Sequence, residues 1–382
     1  MEEGSCRLQR KDSFILIGLS VRAQSRDYQI FIDSGLRFQL AELLDSSIEK
    51  LVIVTDEHVK KYYLDDCLHE LKSSFPVNVY VIPPGEQSKS MEQYKSLQQF
   101  LLNQRITRKS AILALGGGVV GDLAGFAAAT FARGIGFIQM PTTILAHDSS
   151  IGGKVAVNLD GKKNIIGSFY PPHQVIFDLE MFQTLNEQEI RSGLAEMVKH
   201  GLIADQKLYD SLLSSIKVDF DLSSNDFKHL LVQSIQVKNK IVEKDEKETG
   251  IRKFLNFGHS FGHALEAAHM NSRTHGECVM LGMIFALWLS NEKFNHLKGF
   301  SFQRLMDWVK QMDYPLQLDD VTSAELLNNM KFDKKNTQDE LQLVLLKQIG
   351  SPCLQNINVY TMESYLNEFI TKWNQGEFNW LK

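Results

Sequence analysis

Four short apolar runs alternate with polar helical stretches, such as Ser90–Asn103, in the first half of the chain: Leu51–Thr55 (LVIVT), Val77–Ile82 (VNVYVI), Ala111–Leu115 (AILAL) and Phe137–Met140 (FIQM). Apolar runs this short suit strands covered on both faces, and helices between them supply the crossovers that parallel strands require. An α/β sheet with helices on both faces is therefore expected here. Tyr28–Ile32 and an earlier strand near Phe14–Leu19 are expected at its edge.

The second half reads differently. From about Leu185 the apolar spacing is helical, over Glu187–Ile203, Lys207–Ile216, Asp226–Glu243, Gly258–His269, Glu277–Asn291 and Ser301–Met312, and strand signals return only at Leu341–Leu346 (LQLVLL). A chain of 382 residues accommodates two domains. The expected division is an N-terminal extension over 1–18, a nucleotide-binding α/β domain over 19–178 and a mostly α-helical domain over 179–382. A net charge of −5 argues against nucleic acid or an anionic membrane as partner. Cys6, Cys67, Cys278 and Cys353 form no CxxC pair, so neither a thiolate zinc site nor a disulfide framework is expected, and a reducing cytoplasm fits. Phe14–Leu19 is too short to span a bilayer and lacks a cleavage pattern, so the chain reads as soluble and unexported.

Gly116–Gly117–Gly118–Val119–Val120–Gly121–Asp122 follows the AILAL strand and opens a helix. Glycines there let the backbone approach a pyrophosphate, and the helix N-terminus offers N–H donors. The strand is not the first of its domain, and no acidic residue stands about 20 positions on, so a tight turn without ligand is the plainer alternative. Asp56, ending LVIVT, could hold a ribose or cap a helix. Glu86 and Lys89 in Pro83–Lys89 could touch a cofactor or cap the next helix, and Thr142–Thr143 lies at another strand's carboxyl end, where open α/β sheets bind ligands.

Asp148–Lys154 and Lys162–Asn164 combine glycine, serine and lysine as an anion cradle would; a solvated basic loop is the alternative. His259 and His263, four apart in a helical segment, share a face, and His275 returns after a short polar break. Three converging imidazoles suggest a divalent metal. Glu196 and Lys199 share a face three apart; taken alone they read as an exposed ion pair, and His200 as a surface histidine. Lys238, Arg252 and Asn256 lie in the same run as the histidines, with Lys244–Glu248 reading as a solvated charged loop, and the group suggests a phosphate placed beside a metal.

Together these residues resemble the 3-dehydroquinate synthases of the sugar phosphate cyclase superfamily. The resemblance runs over about residues 20 to 350, in GGGVVGDLAGF (116–126), FARG (131–134), PTTILAHDSSIGGK (141–154), KNIIGSFYPP (163–172), SGLAEMVKH (192–200), LNFGHSFGHALE (255–266) and HGECVMLGM (275–283). It implies a dehydroquinate synthase-like fold, with an N-terminal Rossmann-like NAD-binding domain and a C-terminal mostly α-helical metal-binding domain. It assigns Glu196, His259 and His275 to a zinc or cobalt ion, and moves His263 to substrate binding. Lys154, Asn164, Lys199, Lys238, Arg252, Asn256 and Lys334 (or Lys335) match substrate contacts. Arg133 matches an arginine reaching the neighbouring subunit's phosphate, which implies a homodimer. Asp56, Glu86, Lys89, Gly117, Gly118, Asp122, Thr142, Thr143, Asp148, Lys163 and Thr184 match NAD contacts. The implied activity converts 3-deoxy-D-arabino-heptulosonate 7-phosphate to 3-dehydroquinate in the shikimate pathway of aromatic amino acid biosynthesis. It proceeds by transient oxidation with NAD, phosphate elimination, re-reduction and aldol closure. A cyclase forming 2-deoxy-scyllo-inosose or valiolone, and an NAD- and metal-dependent polyol dehydrogenase, are the alternatives. One loop departs from the family: Asp160–Gly161–Lys162 stands where proline–leucine and a glycine are usual.

Overall fold

The computed structural model describes residues 7–11, 14–22, 25–268, 273–318, 320–331 and 339–381. The chain divides into two compact units, one of Met1–Leu185 with Leu222–Ile235 and Asn239–Lys247, the other of Asn186–Asp221, Gln236–Lys238 and Glu248–Lys382.

The first unit is built on an 8-stranded sheet. Its strands are β1 (Arg7–Lys11), β2 (Phe14–Val21), β3 (Tyr28–Asp33), β4 (Leu51–Asp56), β5 (Val77–Ile82), β6 (Ala111–Gly116), β7 (Gly136–Pro141) and, after the separate hairpin β8 (Lys154–Leu159) and β9 (Lys162–Phe169), β10 (Gln174–Asp178). The order is β1-β2-β3-β10-β7-β6-β4-β5. β3 to β5 across the sheet are parallel, while β1, β2 and β3 pair antiparallel.

Both faces of the parallel part are covered, and the strand residues alternate between two cores. Leu51, Ile53, Leu113, Leu115, Ile138 and Met140 pack with Leu36, Cys67 and Leu71. Val52, Val54, Ile112, Ala114 and Phe137 pack with Leu97, Leu101, Leu123 and Ala127. The helix Gly118–Thr130 is pressed close to its neighbours, because a Cβ on Gly125 would meet Val155 at 2.4 Å and Phe137 at 2.7 Å.

One sequence expectation is corrected here. The extension drawn over 1–18 contains β1 and more than half of β2, which carry the sheet beyond β3. The change of character expected from about Leu185 coincides with the division between Leu185 and Asn186, and β10, a fully buried strand between β3 and β7, comes just before it.

The second unit is mostly helical, with the helices Glu187–Ala204, Gln206–Ser215, His259–Ala268, His275–Trp288, Phe302–Gln311, Ser323–Lys331 and Val359–Asn374. A hairpin of β11 (Glu340–Gln348) and β12 (Ser351–Asn358) accompanies them. His275–Trp288 is buried from Gly276 to Trp288, the all-round apolar pattern of a central helix. It touches its neighbours at glycines: a Cβ on Gly276 would lie 2.1 Å from Ser192 O, and one on Gly282 1.9 Å from Gly258 O. No helix among the described residues is long and apolar enough to cross a membrane.

Candidate functional site

In the second unit, three helix segments bring a carboxylate and three imidazoles together. Glu196 lies inside Glu187–Ala204, which Asn186 caps by accepting from Glu189 N. His259 opens His259–Ala268, and His263 follows one turn later. His275 opens its own helix, fixed by a capping box in which Thr274 and Glu277 exchange side-chain-to-backbone bonds. The ligand atoms of His259, His263 and His275 all lie within 4.8 Å of one another.

Glu196 Oε1 lies 3.5 Å from His259 Nε2 and 3.4 Å from His275 Nε2. The opposite ring nitrogens face oxygens: His259 Nδ1 is 3.2 Å from Phe257 O, and His275 Nδ1 is 3.2 Å from Glu266 Oε2. Such bonds fix the ring and direct the Nε2 lone pair at a cation. His263 is exposed. Two oriented imidazoles and a carboxylate suit a divalent ion of zinc or cobalt type. Burial pushes the His259 imidazole well below its usual pKa. At His275 burial also acts downward, but hydrogen bonds to Glu196 and Glu266 prevail and hold it at about 10. A cation there would take the place of that proton.

The plain readings of this helix fail. Glu196 and Lys199 form an ion pair, but both are buried, at 1% and 0% exposure, and His200 is buried too. The reason is that Glu187–Ala204 is enclosed from Arg191 to Ile203, which the spacing of two charges does not reveal. Lys238 and Arg252 are likewise buried, and Asn256 Nδ2 donates to Glu248 Oε1 at 2.7 Å. In the stretch read as a solvated loop, Asp245 and Glu246 are buried, and Glu246 accepts from Ser25 N at 3.2 Å and Ser25 Oγ at 2.5 Å.

In the first unit, Gly117 stands at the N-cap of Gly118–Thr130, with no side-chain cap bond. This leaves first-turn N–H groups available to an anion. Thr143 packs against Gly117, Thr142 N donates to Gly116 O at 3.2 Å, and Asp148 lies in the short helix Ala146–Ser149. Lys89 Nζ pairs with Asp122 and donates to Asn164 Oδ1 at 2.5 Å, so three expected contacts converge. Glu86 Oε1 accepts from Asn158 Nδ2 at 2.8 Å. The cap of the next helix is Ser90, not Glu86 or Lys89.

Asp56 caps a helix by accepting from His58 N and Val59 N. Thr184 Oγ1 bonds Tyr63 OH at 2.6 Å. Lys154 and Lys163 are exposed on β8 and β9. Arg133 is exposed at φ 66°, directly after Ala132 at φ 48°. Two successive non-glycine residues in the left-handed region mark a strained turn. Lys334 and Lys335 lie outside the described residues.

Sequence reasoning missed Glu266 and Asn158. Glu266 lies seven residues, two helical turns, after His259, a spacing that could have suggested it. Asn158 carries no comparable signal.

Two family models match the chain, 3-dehydroquinate synthase N-terminal over residues 79–192 and 3-dehydroquinate synthase C-terminal over residues 193–336. The chain is 46% identical to the 3-dehydroquinate synthase of Oceanobacillus iheyensis over 359 residues, 93% of this chain and 98% of the relative. It is 41% identical to that of Geobacillus kaustophilus, covering 94% of this chain and all (100%) of the relative. Among solved structures, a 2-deoxy-scyllo-inosose synthase complexed with carbaglucose-6-phosphate, NAD+ and Co2+ matches with a TM-score of 0.83 at 23% identity, covering 92% of this chain and 99% of that one. A 2-epi-5-epi-valiolone synthase from Streptomyces hygroscopicus with NAD+ and Zn2+ bound matches with a TM-score of 0.82 at 24% identity, covering 90% and 97%. At these identities the structural likeness speaks for the fold.

Proposed function

The chain belongs to the 3-dehydroquinate synthase family, and we propose that it converts 3-deoxy-D-arabino-heptulosonate 7-phosphate to 3-dehydroquinate and phosphate, as a carbon–oxygen lyase of the shikimate pathway. The observation that carries this reading is the Glu196 carboxylate facing the Nε2 atoms of His259 and His275, with each Nδ1 held by an oxygen.

Glu196, His259 and His275 would hold a divalent zinc or cobalt ion, and residues 19–178 would hold NAD. When bound, the ion supplies Lewis acidity at the substrate hydroxyl and NAD supplies a hydride acceptor that is restored each turnover. Asp56, Glu86, Lys89, Gly117, Gly118, Asp122, Thr142, Thr143, Asp148, Lys163 and Thr184 are the proposed NAD contacts. Lys154, Asn164, Lys199, Lys238, Arg252, Asn256 and Lys334 bind the substrate's phosphate, carboxylate and hydroxyls, fixing its geometry by many charged contacts. Burial of Lys199, Lys238 and Arg252 strengthens their attraction for an anion. His263, the exposed imidazole of the cluster, receives and returns the proton of the reacting hydroxyl. Arg133 acts in the neighbouring subunit's site of a homodimer, and its strained turn supports a fixed presentation of that side chain. The enzyme works in the cytoplasm.

The test is phosphate release from the heptulosonate phosphate, with and without NAD and a chelator. Release requiring both NAD and metal, without accumulation of NADH, is expected. Absence of release overturns the reading, and steady NADH production points instead to a polyol dehydrogenase.

A further inference from the structure

The hairpin β8–β9 turns through Asp160 (φ 47°) and Gly161 (φ 74°). Successive positive φ values are what a two-residue type I′ turn needs, and Asp–Gly is a preferred pair for it. The departure from the family pattern therefore makes a competent turn, and the irregularity of this hairpin lies elsewhere.

Register runs from Lys154↔Phe169 to Val157↔Ile166, then resumes at Leu159↔Lys162. Asn158 thus faces Lys163, Asn164 and Ile165 together, a bulge in β9, and Asn164 holds φ 56° inside it. Bulges re-aim side chains, and although asparagine tolerates the left-handed region better than most residues, a contact must hold it there against its other conformations.

Asn158 provides that hold. Its Oδ1 accepts from Asn164 N at 2.9 Å, and its Nδ2 donates to Glu86 Oε1 at 2.8 Å. Its own N–H donates to Lys89 O at 2.8 Å. Lys89 Nζ closes the circuit on Asn164 Oδ1 at 2.5 Å. One half-buried side chain therefore joins the Glu86–Lys89 loop to the bulge that displays Lys163 and Asn164.

We propose that Asn158 is a positioning residue, locking the Lys163–Asn164 bulge against the Glu86–Lys89 loop so that the cofactor contacts are set before the dinucleotide arrives. This rests on the reading of Glu86, Lys89 and Lys163 as NAD contacts. The uncharged amide meets both demands with separate atoms, an acceptor oxygen for Asn164 N and a donor nitrogen for Glu86. An aspartate keeps the acceptor but sets a second carboxylate against Glu86.

The experiment compares N158A and N158D with the wild-type protein by amide hydrogen exchange without ligand, by NAD titration and by melting temperature. In N158A the Asn164 amide should exchange at least about tenfold faster, while in N158D it stays near the wild-type rate. Both variants should bind NAD about 10- to 100-fold more weakly, with melting temperatures close to wild type. Wild-type exchange at Asn164 in N158A, or wild-type NAD affinity in both variants, overturns the proposal. So does a loss of affinity that merely follows a fall in melting temperature. Should N158A not fold, the NAD affinity of N158D decides. If the wild-type protein itself binds no NAD, the functional reading fails, while the exchange arm still decides whether Asn158 holds the bulge.

Discussion

His275 Nδ1 lies 3.2 Å from Glu266 Oε2, while Nε2 of the same ring lies 3.4 Å from Glu196 Oε1. The imidazole is thus gripped at its back by one carboxylate and presented to another at its front. Removing the grip should let the ring rotate. Glu266→Ala is expected to weaken Zn²⁺ or Co²⁺ binding about 10- to 100-fold, and Glu266→Gln, which keeps an acceptor oxygen, by less. Competition against a chelating dye measures this without turnover. Equal metal affinity in Glu266→Ala and wild type would remove Glu266 from the site.

Glu196 and Lys199 form a buried pair, so deleting the Glu196 carboxylate takes a close counter-charge away from a buried ammonium. Glu196→Ala should abolish metal binding and also cost the metal-free protein about 3 kcal/mol in urea unfolding. Adding Lys199→Met should recover part of that stability but none of the metal binding. A Glu196→Ala protein as stable as wild type without metal would show that the Lys199 charge is satisfied by other groups.

The helices His259–Ala268 and His275–Trp288 meet where Gly282 faces Gly258 O, and a Cβ there would lie 1.9 Å from that oxygen. The obstacle is backbone, which cannot swing aside as a long side chain would. Gly282→Ala should cost about 1–3 kcal/mol by forcing the helices apart, and should weaken metal binding because both helices carry an imidazole of the cluster. An unchanged unfolding midpoint would mean that the helices separate without penalty.

What the sequence made legible, and what it hid, follows from how each element is buried. The runs at Leu51, Ala111 and Phe137 were readable because both sheet faces are covered, so all their positions but Thr55 and Gln139 are apolar. β10 (QVIFD) has the same apolar centre, but it is short and stands between Pro171–Pro172 and the helical periodicity from Leu185, so it was not among the strands expected. The histidine cluster was readable because the four-residue spacing of His259 and His263 reports a shared helix face. The buried state of Lys199 and His200 was not, because a helix enclosed on all sides carries its polar residues inward only when partners from other segments await them. Nothing local to Asn158 announces its partners, which lie on a loop more than 60 residues earlier and on the strand after the turn.

His173 Nδ1 accepts from Phe137 N at 3.0 Å and lies 2.9 Å from Arg26 Nη1. Although the residue keeps an exposed edge, burial of the ring and the Arg26 charge push its pKa down to about 4, with Asp45 opposing. In the unfolded chain the same group titrates near about 6.5. The unfolded state therefore takes up the proton first as the pH falls, and protonation favours unfolding. The His173 contribution should be fully present above about 6.5, decline as the pH drops below that, and be gone below about 4. Melting temperature measured from pH 7.5 to pH 4 in wild type and in His173→Gln, whose amide oxygen can still accept from Phe137 N, tests this. The variant should show a shallower decline across that window, and parallel curves would mean that other groups govern the acid sensitivity of the fold.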